Sequence, residues 1–292
     1  MAMIVIPALL AVLIIGFALR EIFHDLFHPS VGGSLSGMIG RGIFNLLRHW
    51  PRSLSFAGPL ALVIVIFSWA LLLAAGFAIV YWALAPSYYR VDAGTAVPHH
   101  NVLAAFYFSL EVMTTLGLGD IKPQPGWFSV FVVLHTLIGF TLVTASLSWV
   151  ILIFPAISRT NRLARLVSIV VRAERNSGIP AISADSEWLL AQLTTGLITV
   201  RIDLVHFPLV YYFRSVDENA CLAHVIGHIG ELAGRASSPS QPERMRLAAA
   251  ALTLALNDCA QILSSQFPDI QPGEPADVFR SYAAHHRTPA AW

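Results

Sequence analysis

Two long stretches of the chain contain no charged side chain, and they limit what this sequence can fold into. No Asp, Glu, Lys or Arg occurs in residues 53–89 or in residues 123–158. Each stretch exceeds the roughly 20 residues that a helix needs to cross about 30 Å of hydrocarbon. The sequence therefore predicts two membrane-spanning helices, near 57–85 and 127–154.

A third apolar stretch, 2–19, ends at Arg20-Glu21. It lacks the positively charged start and the small-residue cleavage site of a signal peptide, so we expect a retained transmembrane helix. The whole chain is 56% hydrophobic and only 12% charged, far from the composition of a soluble domain. The formal net charge of +1, with no basic stripe outside the membrane flanks, argues against nucleic acid as a partner.

Arginines predict the orientation in the bilayer. They concentrate in 20–56 and directly after the last predicted span, whereas 86–126 offers only Arg90 and Lys122. Because positive residues collect on the inner side, we expect 20–56 and the C-terminal region to be cytoplasmic. The N-terminus and the loop between the two central spans then face outward, in a multi-pass protein of the cell membrane, with a bacterial inner membrane as the expected location.

The chain divides by pattern into three regions. Residues 1–56 combine the first span with an amphipathic segment expected to lie in the inner membrane interface. Residues 57–155 form helix, re-entrant loop and helix, and residues 156–292 are expected to be a helical cytoplasmic domain. The predicted fold class is an all-α membrane protein.

The loop between the two central spans contains Thr114-Thr115-Leu116-Gly117-Leu118-Gly119-Asp120. Glycines at alternate positions let the backbone adopt left-handed conformations without steric cost. Successive carbonyl groups can then turn toward one axis and replace the hydration shell of a cation. A helix-compatible apolar run, 101–113, precedes the motif, and an uncharged helix follows it.

With these residues, 57–155 resembles the pore module of the potassium-channel superfamily, of the bacterial two-helix kind. In that family, a pore helix carries two aromatic residues and a Glu, followed by Thr-Thr-Val-Gly-Tyr-Gly-Asp. This chain has Tyr107-Phe108, then Glu111, and its motif closes at Asp120.

The resemblance implies a potassium channel without a cofactor other than the permeant K+ ions. Four copies are implied, because one loop supplies only a quarter of a closed ring of carbonyl groups. The lipid bilayer is the other expected partner, and no ligand of 156–292 is predicted. The implied filter comprises Thr115, Leu116, Gly117, Leu118 and Gly119, with K+ at the first four.

The resemblance also implies a support behind the filter. Glu111 and Asp120 would share a proton, and Tyr107 would brace the pair. Two carboxyl groups this close cannot both ionise at low cost, which agrees with a shared proton. The alternative is a solvated Glu at the edge of the helix.

Leu116 and Leu118 depart from the Val and Tyr of the family motif. The Tyr hydroxyl bonds to pore-helix aromatics in that family, and Leu118 cannot make this bond. Gly-Leu-Gly filters occur in some two-pore potassium channels, so potassium remains the first prediction. A weakly selective monovalent cation channel stays open as an alternative.

The second central span supplies candidates for the gate. Gly139 lies 19 residues after Asp120, where the family places its inner-helix hinge; close helix packing is the alternative reading. Helical steps place further cavity-facing positions at Phe140, Val143, Thr144, Leu147 and Ile151. Ile151, near the cytoplasmic mouth, could close the pore by dewetting. We expect His135, by contrast, to pack against a neighbouring helix.

Other classes of function are weaker matches. A membrane-anchored signalling or scaffold protein with a degenerate pore would use 156–292. An enzyme is not expected, because the chain lacks the several His-rich boxes of membrane di-iron hydroxylases. Two groups have metal-ligand spacing without a credible fourth ligand: His24 with His28, and Cys221 with His224 and His228.

Overall fold

The protein is described here as a computed structural model that covers residues 2–27, 35–50, 53–84, 89–91 and 101–287. In these ranges it is an all-α membrane protein fold with one small strand pair. The helices are α1 (Ala2–Phe27), α2 (Leu35–Leu47), α3 (Ala57–Leu84), α4 (Val102–Met113), α5 (Trp127–Ser177), α6 (Glu187–His206), α7 (Leu222–Ala236), α8 (Glu243–Gln266) and α9 (Pro275–His285). The strands β1 (Tyr89–Val91) and β2 (Ile121–Pro123) pair antiparallel, with Arg90 opposite Lys122.

Contacts group the chain into two compact units. One contains residues 1–27 and 63–150, and the other contains residues 28–62 and 151–292. The division into 1–56, 57–155 and 156–292 stays a prediction. The first unit carries the loop motif together with α1, α4, most of α3 and the first part of α5.

Within the described ranges, five helices are long and apolar enough to cross a membrane. They are Val5–Leu26, Leu54–Leu84, Trp127–Ser177, Glu187–His206 and Glu243–Gln266. The three spans predicted from the sequence are among them, so the protein is a multi-pass membrane protein. The last two correspond to α6 and α8, which the sequence analysis did not single out; these helices pack against each other in the second unit.

Small residues allow close helix packing in the first unit. A Cβ added at Gly76 of α3 would lie 2.5 Å from Cγ1 of Ile15, so α1 approaches α3 more closely than a larger residue would permit. Trp69 of α3 is fully buried, and its ring lies 5.1 Å from that of Trp149 on α5. These contacts bury one side of each helix.

The span predicted near 127–154 is the first part of a longer helix, α5. This helix continues through Pro155 to Ser177. Proline removes one hydrogen bond from a helix, the one that the Ile151 carbonyl would accept, and this loss is local. Beyond it, Ala156, Leu163 and Val167 are buried in the second unit, and this packing favours the continued helix.

Helix α2 packs against the C-terminal part of the second unit. Phe44 is fully buried, with its ring 4.8 Å from His285 and 5.7 Å from Tyr212. Gly40 permits this contact, because a Cβ there would lie 2.5 Å from Cε2 of Tyr212. The amphipathic pattern of this helix predicts a position in the membrane interface, whereas Phe44 on its apolar face packs against protein.

A buried histidine pair closes the aromatic cluster around Phe44. His285 Nδ1 lies 2.6 Å from the Tyr211 hydroxyl, whereas His286 is 1% exposed and neither of its ring nitrogens has a hydrogen-bond partner among the described residues. Burial lowers the pKa of His286 well below its ordinary value, and His285 and Arg214 lower it further. The fold therefore requires a neutral His286.

This requirement predicts an acid-labile second unit. The folded-state pKa of His286 is below the unfolded value of about 6.5, so its full stability is present above that pH and is lost as the pH falls. The loss is at most about 1.4 kcal/mol for each pH unit below about 6.5. His286→Phe keeps a flat ring without the charge, and we expect a smaller fall in melting temperature between pH 7.5 and pH 5.5 than in the wild type.

The matched control is His206→Phe, because His206 is exposed. Thermal unfolding of the purified proteins in detergent measures the effect. If His286→Phe loses as much stability on acidification as the wild type and the control, His286 is not the acid-sensitive group.

Candidate functional site

The short helix α4 is fixed at both its start and its middle. Asn101 caps its N-terminus, where the side-chain oxygen accepts a hydrogen bond of 3.0 Å from the Leu103 backbone N–H. In the middle, the buried Ser109 hydroxyl donates to the Ala74 carbonyl of α3 at 2.8 Å. These contacts fix the position of α4, and α4 in turn positions the loop motif that follows it within the first unit.

The backbone of the loop motif alternates in handedness. Thr115, Gly117 and Gly119 have φ values of +58°, +60° and +78°, whereas Leu116 and Leu118 lie outside the positive-φ region. The left-handed glycines predicted from the sequence are confirmed. Such alternation turns successive carbonyl groups to the same side, as coordination of a dehydrated cation requires.

Thr115 was not predicted to share this conformation. A positive φ is a genuine outlier for a β-branched residue and persists only where its surroundings impose it. Its N–H donates to the Val112 carbonyl at 3.2 Å, and the next N–H, of Leu116, donates to the Glu111 carbonyl at 3.0 Å. The last turn of α4 therefore holds the first residues of the motif.

Two carboxyl groups support the motif from behind. Oε1 of Glu111 accepts from the Gly119 N–H at 3.1 Å. Asp120 accepts at 3.1 Å from both the Tyr107 hydroxyl and the Ile121 N–H. Tyr107 thus contacts Asp120 as the sequence analysis expected.

The predicted bond between Glu111 and Asp120 is not present in the part of the chain that the structure describes. Glu111 is 5% exposed, and its Oε2 has no hydrogen-bond partner among the described residues. A buried carboxylate oxygen without a partner is costly. The shared proton stays a prediction.

One face of α5 is open in the isolated chain. The exposed residues on this face include all five positions that the sequence analysis placed toward a cavity: Phe140, Val143, Thr144, Leu147 and Ile151. Leu142, Trp149 and Ile153 are buried. His135 is also buried, stacked on Phe77 with ring centroids 3.7 Å apart, as predicted from the sequence.

Gly139 lies against the end of α4. A Cβ at this position would be 2.4 Å from the carbonyl oxygen of Met113. Of the two roles left open by the sequence, this is the geometry of close packing, and the hinge stays a prediction.

The candidate metal ligands do not assemble into a site in the ranges that the structure covers. No group of three or more His, Cys, Asp or Glu side chains there could hold a metal ion. Cys221 is buried, and His228 lies 3.1 Å from Glu231. His28, the expected companion of His24, lies outside the described residues.

The fold and the site define a membrane protein in which a short helix and a loop connect two membrane-length helices, an arrangement similar to that of ion channels. Residues 61–154 match the family model described as "Ion channel". The chain is also 37% identical over 75 residues to two-pore potassium channel 5 of Arabidopsis thaliana. The matched segment covers 25% of this chain and 18% of that protein. Residues 61–154 are thus similar to an ion-channel family, and the match covers this module and not the remainder of the 292 residues.

A second relative extends beyond the module. The chain is 23% identical over 187 residues to an uncharacterised membrane protein of Bacillus subtilis, YdjJ. The matched segment covers 63% of this chain and 54% of that protein. The chain thus spans about half of this curated relative and less than a fifth of the plant channel. No solved structure matches the chain significantly.

The support behind the motif predicts a graded response at Glu111. Glu111→Gln keeps an oxygen that can accept from Gly119 and adds a donor, so we expect ion flux close to that of the wild type. Glu111→Ala leaves the Gly119 N–H without a partner, a loss of about 1–3 kcal/mol when buried. Ion flux into vesicles should then fall at least tenfold, or the oligomer should dissociate at a lower temperature. Equal effects of the two variants would contradict the hydrogen-bonding role.

Proposed function

We propose that the protein is a potassium-selective channel that conducts K+ passively through a homotetrameric pore. The observation that carries this proposal is the alternation of left-handed residues at Thr115, Gly117 and Gly119. This backbone lies between two membrane-length helices and is braced by Tyr107 and Glu111. Non-helical backbone at membrane depth is tolerated only where protein or a water-filled cavity covers it.

The ion ligands in this proposal are backbone carbonyl groups and one hydroxyl. Carbonyl groups of the filter replace the water around K+, and the Thr115 hydroxyl faces the inner mouth. The ions bind at Thr115, Leu116, Gly117 and Leu118, and Gly119 completes the turn toward Asp120. No cofactor takes part.

Exposed apolar surface supports assembly of several copies. Leu116 and Leu118, both within the motif, are 61% and 62% exposed in the single chain. Large apolar patches on a protein mark surfaces that another molecule covers. Four copies around an axis would cover these side chains and close the ring of carbonyl groups. Phe140 and Ile151 would then line the inner cavity.

The placement of arginines supports the orientation in the membrane. The positive-inside rule puts the N-terminus and the filter loop outside and the C-terminal region in the cytoplasm, in a bacterial inner membrane. Ile151, on the exposed face of α5, would form a hydrophobic constriction near the cytoplasmic end.

A weakly selective monovalent cation channel is the second candidate, and Leu118 favours it. Its side chain lacks a hydroxyl and cannot hydrogen-bond to the Tyr107 hydroxyl, so the filter loses one support that keeps its diameter fixed. A scaffold protein with a degenerate pore would conduct no ions, and the flux experiment separates it from both channels.

Substitution of the filter glycines tests conduction. Gly117→Ala or Gly119→Ala adds a Cβ where φ is positive, which should turn the carbonyl groups away from the axis and reduce K+ flux into reconstituted vesicles at least 100-fold. Gly126→Ala is the control, because Gly126 also has a positive φ, +131°, but lies after the motif. Wild-type flux in either filter variant would refute the filter; no flux in the wild type would favour the scaffold.

Leu118→Tyr tests which cation selectivity the filter has. The new hydroxyl can hydrogen-bond to the Tyr107 hydroxyl, so we expect the permeability of Na+ relative to K+ to fall. The reversal potential with K+ on one side of the bilayer and Na+ on the other measures this ratio. A wild-type ratio already strongly in favour of K+, and unchanged by the substitution, would show that packing alone holds Leu118 in place.

A further inference from the structure

We infer that Gly139 is a positioning residue for the filter, through which the inner helix α5 sets the geometry of Thr114 and Thr115. The inference rests on the proposed channel function. It assigns a role in ion selectivity to a glycine whose position would otherwise suggest a bending point of the inner helix.

The contact between Gly139 and Met113 leaves no room for a side chain. A Cβ on Gly139 would lie 2.4 Å from the carbonyl oxygen of Met113, 2.9 Å from its Cα and 2.7 Å from its Cγ. Ordinary contacts of this kind are about 3.5 Å. Two of the three atoms belong to the backbone, so a change of rotamer at Met113 does not relieve the clash.

Met113 is the last residue of α4, and the loop motif begins directly after it. In this last turn, the Thr114 N–H bonds to the Leu110 carbonyl at 2.9 Å and the Thr115 N–H bonds to the Val112 carbonyl at 3.2 Å. Thr115 is the β-branched residue with a φ of +58°. A shift of the Met113 backbone therefore acts on the most constrained residue of the motif.

The two helices that meet at this contact are both fixed to α3. The Ser109 hydroxyl of α4 bonds to the Ala74 carbonyl at 2.8 Å, four residues before Met113. His135 of α5 lies 2.8 Å from the Tyr81 hydroxyl, four residues before Gly139. Because α3 holds both neighbours, a displacement of α5 near Gly139 is transmitted to Met113.

Gly16 offers a control, because it lacks any such contact. Gly16 of α1 has no heavy atom within 4 Å of an added Cβ, apart from its own helix and chain neighbours. Gly16→Ala thus makes the same chemical change in a membrane helix without a clash, and it is the matched control for Gly139→Ala.

The test compares ion selectivity and gating in the same variants. We expect Gly139→Ala to raise the permeability of Na+ relative to K+ about tenfold in reversal-potential measurements, whereas Gly16→Ala leaves it unchanged. Met113→Ala removes only the Cγ contact and should raise the ratio by a smaller factor. The double variant should keep the large shift, because the clash with the Met113 backbone remains.

Each outcome has one meaning. A change of open probability in Gly139→Ala with an unaltered permeability ratio would indicate a hinge and overturn the inference. The inference is also overturned if neither the open probability nor the permeability ratio changes. If Gly139→Ala does not assemble, the permeability ratio of Na+ to K+ in Met113→Ala is the test. A raised ratio supports the inference, and an unchanged ratio overturns it. A wild type that conducts no cations refutes the proposed function itself, whereas a conducting wild type with unaltered ratios refutes only the role of Gly139.

Discussion

The structure depends on how a membrane protein supplies hydrogen bonds to backbone N–H and C=O groups where a helix ends inside the bilayer. At the end of α4 the chain abandons helical hydrogen bonding, and no water of the hydrocarbon region can replace the lost bonds. The substitutes come from the chain itself: carbonyl groups of Glu111 and Val112 and the side chain of Glu111. In the proposed channel, the carbonyl groups of the motif are the exception, and they need a ligand. A dehydrated cation is the ligand that such groups fit.

The support of the motif comes from sequence-local residues, whereas its position comes from long-range packing. Glu111 and Tyr107 lie on the same short helix as the start of the motif, so they can bond to its far end as it folds back. Ser109 and Gly139 instead join α4 to α3 and α5. The first set fixes the shape of the loop and the second fixes its place, which is why both kinds of contact affect the same carbonyl groups.

The sequence predicts the parts of the pore module that have a clear local pattern, such as long apolar stretches or glycines at alternate positions. Charge-free windows predicted the two central spans, and a further apolar stretch predicted the first. Alternate glycines predicted the left-handed backbone, and the resemblance to the potassium-channel pore implied the contact between Tyr107 and Asp120. Thr115 could not be predicted to be left-handed, because the bonds around it impose a conformation against its own preference. The burial of Phe44 was missed as well, since an amphipathic pattern looks the same against lipid and against Tyr212. The continuation of α5 from the predicted span to Ser177 was not predicted either, because packing beyond Pro155 is not visible in local sequence.

The most direct test of the central claim is an experimental density map of the assembled protein in K+. The account predicts four copies around one axis, with ion density on that axis at the level of the Leu116 and Gly117 carbonyl groups. The density should weaken when K+ is replaced by Na+. A map without axial density in K+, or with the carbonyl groups of the motif turned away from a common axis, would contradict it.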